Sequence, residues 1–121
     1  MISLGPRSER RRHVRLEQRI PLKISSDDGE IVTQTRNISC SGAYCQVNRY
    51  LDPMTKLKIH LLVPIRRKTK LDTQKITCNG VVVRTESNPS EGNYHIAIFF
   101  NDIQPKDSKS LQAYIKASLK Q

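Results

Sequence analysis

Tryptophan is missing from this chain, and only four tyrosines and two phenylalanines stand among its 121 residues. Barrels that hold single-stranded nucleic acid do so on aromatic platforms. With Tyr94 and Phe100 expected in the core, few rings remain for that use, despite a net charge of +10. Cysteine is scarce as well. Cys40, Cys45 and Cys78 are an odd number without CxxC spacing, which suggests neither a disulfide framework nor a zinc site. Cys45 and Cys78 read as small core hydrophobes, and Cys40 as a partly exposed turn residue. No apolar run approaches the roughly 20 residues of a membrane span. Residues 1–8 lack the apolar stretch of a secretory leader, so a cytoplasmic domain is expected. There is no glycine-rich phosphate loop, and His13, His60 and His95 have no carboxylate or thiol at recognisable catalytic spacing. The expectation is a binding module, not an enzyme, with no metal and no cofactor.

What the chain does have is positive charge in two places. Residues 1–23 hold seven basic and two acidic side chains, and residues 56–75 hold seven and one. Residues 24–55 and 76–103 are each net negative by two. Such clustering points to an anionic partner, phosphate above all.

The length fits one domain with a modest core. Residues 1–8 read as a disordered tail, and the run Glu9 to Arg15 as a flexible, arginine-rich arm. Strands are predicted over 16–25 (with Pro21 marking an edge or bulge), 30–39, 42–48, 56–63, 75–86 and 94–100. The fourth alternates cleanly, with Leu57, Ile59, Leu61 and Val63 facing in. Asp28-Gly29 marks a hairpin. Residues 64–73 read as an exposed basic connection. Gly80 marks a bulge, with Val81 and Val83 taking the opposite parity from Ile76 and Cys78. From Pro105 the period changes: Leu111, Tyr114, Ile115, Ser118 and Leu119 form a helical stripe. The fold class is therefore mainly β, six antiparallel strands in a small closed barrel or sandwich, with a C-terminal α-helix across one end.

Two stretches carry chemistry. In the arm, Arg11 and Arg15 can grip phosphate oxygens and stack on flat bases. In the turn Asn37-Ile38-Ser39-Cys40-Ser41-Gly42, Asn37 and Ser39 offer donors and acceptors on one strand face, and Gly42 allows positive φ or close backbone approach. Read alone, that turn is ordinary turn chemistry. Antiparallel pairing of the first two strands, however, brings the arm and the turn to the same end of the hairpin.

In this order, some twenty residues apart, Arg11 to Arg15 resembles an RxxxR motif and Asn37 to Gly42 a [D/N]xSxxG motif. They are similar to the two signatures of the PilZ domain family. The resemblance covers residues 9–121 and extends to Gly80-Val81-Val82-Val83-Arg84 and to residues 94–100. In the latter stretch Ala97 stands where glycine is usual. The resemblance implies a six-stranded split-type β-barrel that binds the bacterial second messenger cyclic di-GMP. It implies Arg11 and Arg15 on phosphate and guanine, Asn37 and Ser39 on the guanine edge, and Gly42 making room. Arg10, just ahead of RxxxR, implies two stacked ligand molecules. Asn37, in place of the commoner aspartate, gives up a charge-assisted bond and implies weaker affinity. The arm would close over the ligand and present a new surface to an unidentified protein partner. The rival readings are a basic barrel holding nucleic acid non-specifically and an adaptor barrel without ligand.

Overall fold

Asp27 and Asp28 form a two-residue turn: Ser26 pairs with Gly29 across it, and Gly29 has a φ of +120° that side chains rarely adopt. The turn joins β1 (Pro21–Ser26) to β2 (Gly29–Ile38). The computed structural model describes residues 16–119, with the backbone alone at 66 and 67. The remaining elements are β3 (Gly42–Val47), β4 (Lys56–Arg67), β5 (Lys70–Asn88), β6 (Asn93–Ile103) and α1 (Pro105–Leu119).

All neighbouring strands are antiparallel, in the ring order β1-β2-β3-β6-β5-β4. β4 returns to β1 through Leu22 opposite Leu61 and Ser25 opposite Lys58, so the barrel closes. Alternation fills the interior: Leu22, Ile24, Ile59, Leu61, Ile76 and Ile96 are almost wholly buried. Burying a side chain of this size stabilises by about 1.5–3 kcal/mol. Leu111 and Ile115 of α1 join this core, and Gln74 Nε2 donates to Ser110 Oγ at 2.9 Å. The helical stripe ends before Leu119, which is half exposed.

The structure departs from the sequence expectation in three places. The first strand begins at Pro21, not at 16; residues 17–20 are held by the Thr35 side chain and a single backbone hydrogen bond to Ile20. Residues 64–73 are not a loop but a two-stranded ribbon. β4 runs on to Arg67 and β5 starts at Lys70, with Lys68 at φ +54° in the turn. Only residues 58–61 of β4 pair with β1, so 62–67 leave the ring with β5 alone. Around Gly80 the ladder does shift, but the extra residue there is Asn101 of β6. The alternation of β5 therefore survives. Gly80 and Val82 stay inward with Ile76 and Cys78, while Val83, extra in the next shift, is exposed.

Candidate ligand site on the outer face of β2

Thr35 lies opposite Cys45, but Asn37 lies opposite Tyr44, so Arg36 is an extra residue in β2. A bulge of this kind re-aims side chains. Thr35 and Ile38, three apart, both point into the core at 1% and 0% exposure. Arg36 and Asn37, between them, both line the outer wall. They border a cavity of about 480 Å³ together with Glu17, Arg19 and Tyr44.

The segment before β1 is fastened over this bulge. Leu16 and Ile38 exchange backbone hydrogen bonds of 2.8 and 2.9 Å. The buried Thr35 hydroxyl donates to the Gln18 carbonyl at 2.5 Å and accepts from the Ile20 N–H at 3.0 Å. The Thr35 N–H donates to the Ile20 carbonyl at 3.0 Å. Leu16 and Ile20 are buried, which leaves Glu17 and Arg19 facing out at the cavity.

Two guanidiniums and a carboxylate thus meet an amide and a phenol. Arg36 Nη1 donates to Gln46 Oε1 at 3.0 Å, which holds its side chain along β3. The Tyr44 hydroxyl donates to Glu86 Oε1 at 3.0 Å and lies 3.2 Å from His95 Nδ1. Its ring meets the His95 ring edge-on, with centroids 5.6 Å apart. Burial, then the hydrogen bond to Glu86, raises the Tyr44 phenol above its ordinary range, so it stays a neutral donor.

Ser39 and Gly42 lie in the turn that follows β2. Ser39 is 1% exposed. Its hydroxyl lies 3.2 Å from Ser41 Oγ and 3.4 Å from the Gly42 carbonyl, and accepts from the Ser41 N–H at 3.2 Å. The Ser39 N–H donates to the Gly42 carbonyl at 2.8 Å. Asn37 and Ser39, expected on one face, therefore differ: the first borders the cavity and the second closes the turn. At Gly42 the need is close approach, not positive φ, because a Cβ there would fall on the Ile98 carbonyl oxygen of β6.

Of the residues named from sequence, the structure brings Asn37 to the cavity and puts Ser39 and Gly42 in the adjoining turn. Arg10, Arg11 and Arg15 lie outside the described residues. Glu17, Arg19, Arg36 and Tyr44 were not singled out from sequence. Strict alternation would put Arg36 and Asn37 on opposite faces, and only the bulge unites them. A larger hollow of about 940 Å³ lies between the β1–β2 turn and the start of β4. It is lined by Asp27, Asp28 and Asp102 as well as Lys56 and Lys58, a mixture that suits phosphate less well.

Cys45 and Cys78 are buried, and burial pushes both thiols up to about 12. Cys40 is half-buried and its thiol is raised for the same reason. Burial thus favours the protonated thiol at all three.

The PilZ domain family model matches residues 9–117. The fold is similar to that of the Bacillus subtilis inhibitor of motility (MotI/DgrA), at 21% identity and a TM-score of 0.75. That match covers 90% of this chain, which spans about half of the other protein (51%). It is also similar to the PilZ domain of YcgR from Escherichia coli, solved with c-di-GMP, at 12% identity and a TM-score of 0.55. There the match covers 90% of this chain and 94% of the other. No curated protein matches this sequence. With six antiparallel strands closed into a barrel, a C-terminal helix, and a family match over nearly its whole length, the chain belongs to the PilZ domain family.

Proposed function

We propose that this chain is a receptor module for cyclic di-GMP, holding it in the cavity on the outer face of β2. The observation that carries this reading is the reciprocal hydrogen bonding of Leu16 and Ile38. Consecutive Cα atoms lie about 3.8 Å apart, so Arg15 enters the chain one residue from the strand position that neighbours Asn37. The YcgR domain, of the same fold, was solved with that ligand.

In this proposal Arg11 and Arg15 clasp the phosphates and stack on guanine, joined by Arg19 and Arg36. Arg10 favours a second, stacked molecule. Asn37 bonds the guanine edge. Glu17 supplies the carboxylate that Asn37 lacks, accepting from guanine N–H groups. Ser39 and Gly42 serve the site by keeping its turn tight. The module has no catalytic step; the arm of residues 9–15 closes over the ligand and alters the surface offered to a protein partner. Among the described residues no helix is long and apolar enough to cross a membrane, and a cytoplasmic receptor fits this ligand.

A micromolar complex needs about −8.2 kcal/mol, and charge-assisted hydrogen bonds contribute about 1.5–3 kcal/mol each. Isothermal titration should show Arg15→Ala weakening cyclic di-GMP by at least about tenfold, or about 1.4 kcal/mol. Glu17→Gln, which trades a charge-assisted bond for a neutral one, should weaken it about fivefold, near 1 kcal/mol. Two ligands per chain should become one in Arg10→Ala. An unchanged affinity in Arg15→Ala removes that arginine from the site. The nucleic-acid reading would be favoured instead if an oligonucleotide bound with steep salt dependence and cyclic di-GMP did not bind.

A further inference from the structure

The wall of the barrel around β1 carries a second surface, and it shares no residue with the cavity described above. Reading outward-facing positions across the ring, Val32 of β2 lies opposite Lys23 of β1, and Lys23 lies opposite His60 of β4. Two residues along, Leu62 of β4 lies opposite Lys75 of β5. Between them is a hollow of about 300 Å³, to which Pro21, Val32 and Leu62 contribute apolar surface and Lys23, His60 and Lys75 the polar margin. Val32 is 78% exposed and Leu62 43%. Alternation on a solvated wall would place polar side chains at both positions, and the two apolar residues here border one depression.

Its charge is mainly positive. Lys23, Lys58 and Lys75 all act on His60, which burial and then these lysines hold below its ordinary range. Glu30 is the carboxylate that answers them, 3.5 Å from Lys23 Nζ. His60 Nδ1 is itself 3.2 Å from Thr77 Oγ1.

We propose that this wall is a docking surface for an acidic segment of a partner protein. One apolar side chain of the segment sits between Val32 and Leu62, and flanking carboxylates meet Lys23 and Lys75. The combination selects the class of partner. Nucleic acid would satisfy the lysines and leave Val32 and Leu62 against a phosphate backbone. A bilayer needs apolar residues at a projecting tip, whereas these border a hollow on the barrel wall between cations. An acidic peptide with a central leucine meets both demands, since interface anchors sit in apolar pockets with charges at the rim. The charged rim would speed encounter and set specificity more than affinity.

The test uses the full chain and a fluorescein-labelled peptide with one leucine flanked by glutamates, followed by anisotropy at low salt. The peptide should bind. Val32→Ser and Leu62→Ser should each weaken it by about fivefold, and Lys23→Glu with Lys75→Glu by more than about tenfold. That double variant should gain binding to the same peptide with lysine in place of glutamate. Thermal unfolding checks that each variant keeps the fold, which surface positions tolerate. The proposal is overturned if the parent peptide does not bind. It is overturned too if a peptide with serine for leucine binds equally well, since the surface would then attract charge alone. Tighter binding of phosphatidylglycerol vesicles or of an oligonucleotide through these four residues would overturn it as well. None of these readouts depends on cyclic di-GMP.

Discussion

Replacing Thr35 with valine removes one buried hydroxyl and little volume. That hydroxyl takes a hydrogen bond from the Ile20 N–H at 3.0 Å and gives one to the Gln18 carbonyl at 2.5 Å. Ile20 is 1% exposed, so its N–H would stay buried with no acceptor. The Gln18 carbonyl belongs to an exposed residue and can turn to water. The lost satisfaction of the N–H should dominate, at about 1–3 kcal/mol. For a chain of this length that is a fall in Tm of roughly 4–12 °C. The loss should also be local. Amide exchange at Leu16, Ile20 and Ile38 should speed up about 5–30-fold, the equivalent of one or two kcal/mol. Strands β4 and β5, with separate pairing, should keep their relative protection. Cyclic di-GMP affinity should fall with it, because the anchored segment that leads into the arm is loosened. Scanning calorimetry and exchange mass spectrometry would measure all of this. A Thr35→Val protein with unchanged Tm and unchanged exchange at Ile20 would refute the idea that this hydroxyl helps to hold the segment down.

Gly42→Ala should be costly even without ligand. Its Cβ meets backbone, the Ile98 carbonyl, which cannot rotate away. A loss of about 1–3 kcal/mol is expected, read as a lower urea midpoint; full stability with lost ligand binding would instead assign Gly42 to ligand contact. The buried thiols give a pH dependence. Cys45 and Cys78 have folded-state values of about 12 against 9.0 unfolded. A raised value stabilises below the unfolded one, so stability should hold up to about pH 9 and drain away as pH climbs towards about 12. Urea titrations across that window check it, and Cys45→Ala with Cys78→Ala should flatten the slope.

Much of the fold was legible because alternation is loud where one face is buried: Leu57, Ile59, Leu61 and Val63 announce β4 and all are in the core. The hairpin at Asp28-Gly29 and the helix from Pro105 were legible from turn and cap chemistry. What escaped was set by partners remote in sequence. Residues 17–20 lack a ladder because Thr35 replaces it, which no local pattern encodes. Residues 64–73 look like a loop because a two-stranded ribbon has little core to display. Asn37 could be read from its motif, whereas Arg36 and Glu17 reach the same cavity through a bulge and a pinned segment. Ser39 and Gly42 were visible as residues, but not their contacts with Ser41 and with the Ile98 backbone.

The ribbon beyond Leu61 has one more consequence. A closed ring offers no loose margin, but residues 62–67 of β4 have a strand on one side only. Unpaired margins of that kind template stacking between copies, and ultimately fibres. Pro64 withholds an N–H from this one. Lys68 and Lys70, both exposed, put like charge at its tip. Swapping those two lysines for neutral residues would leave a bare sticky hem, so their repulsion guards against such stacking.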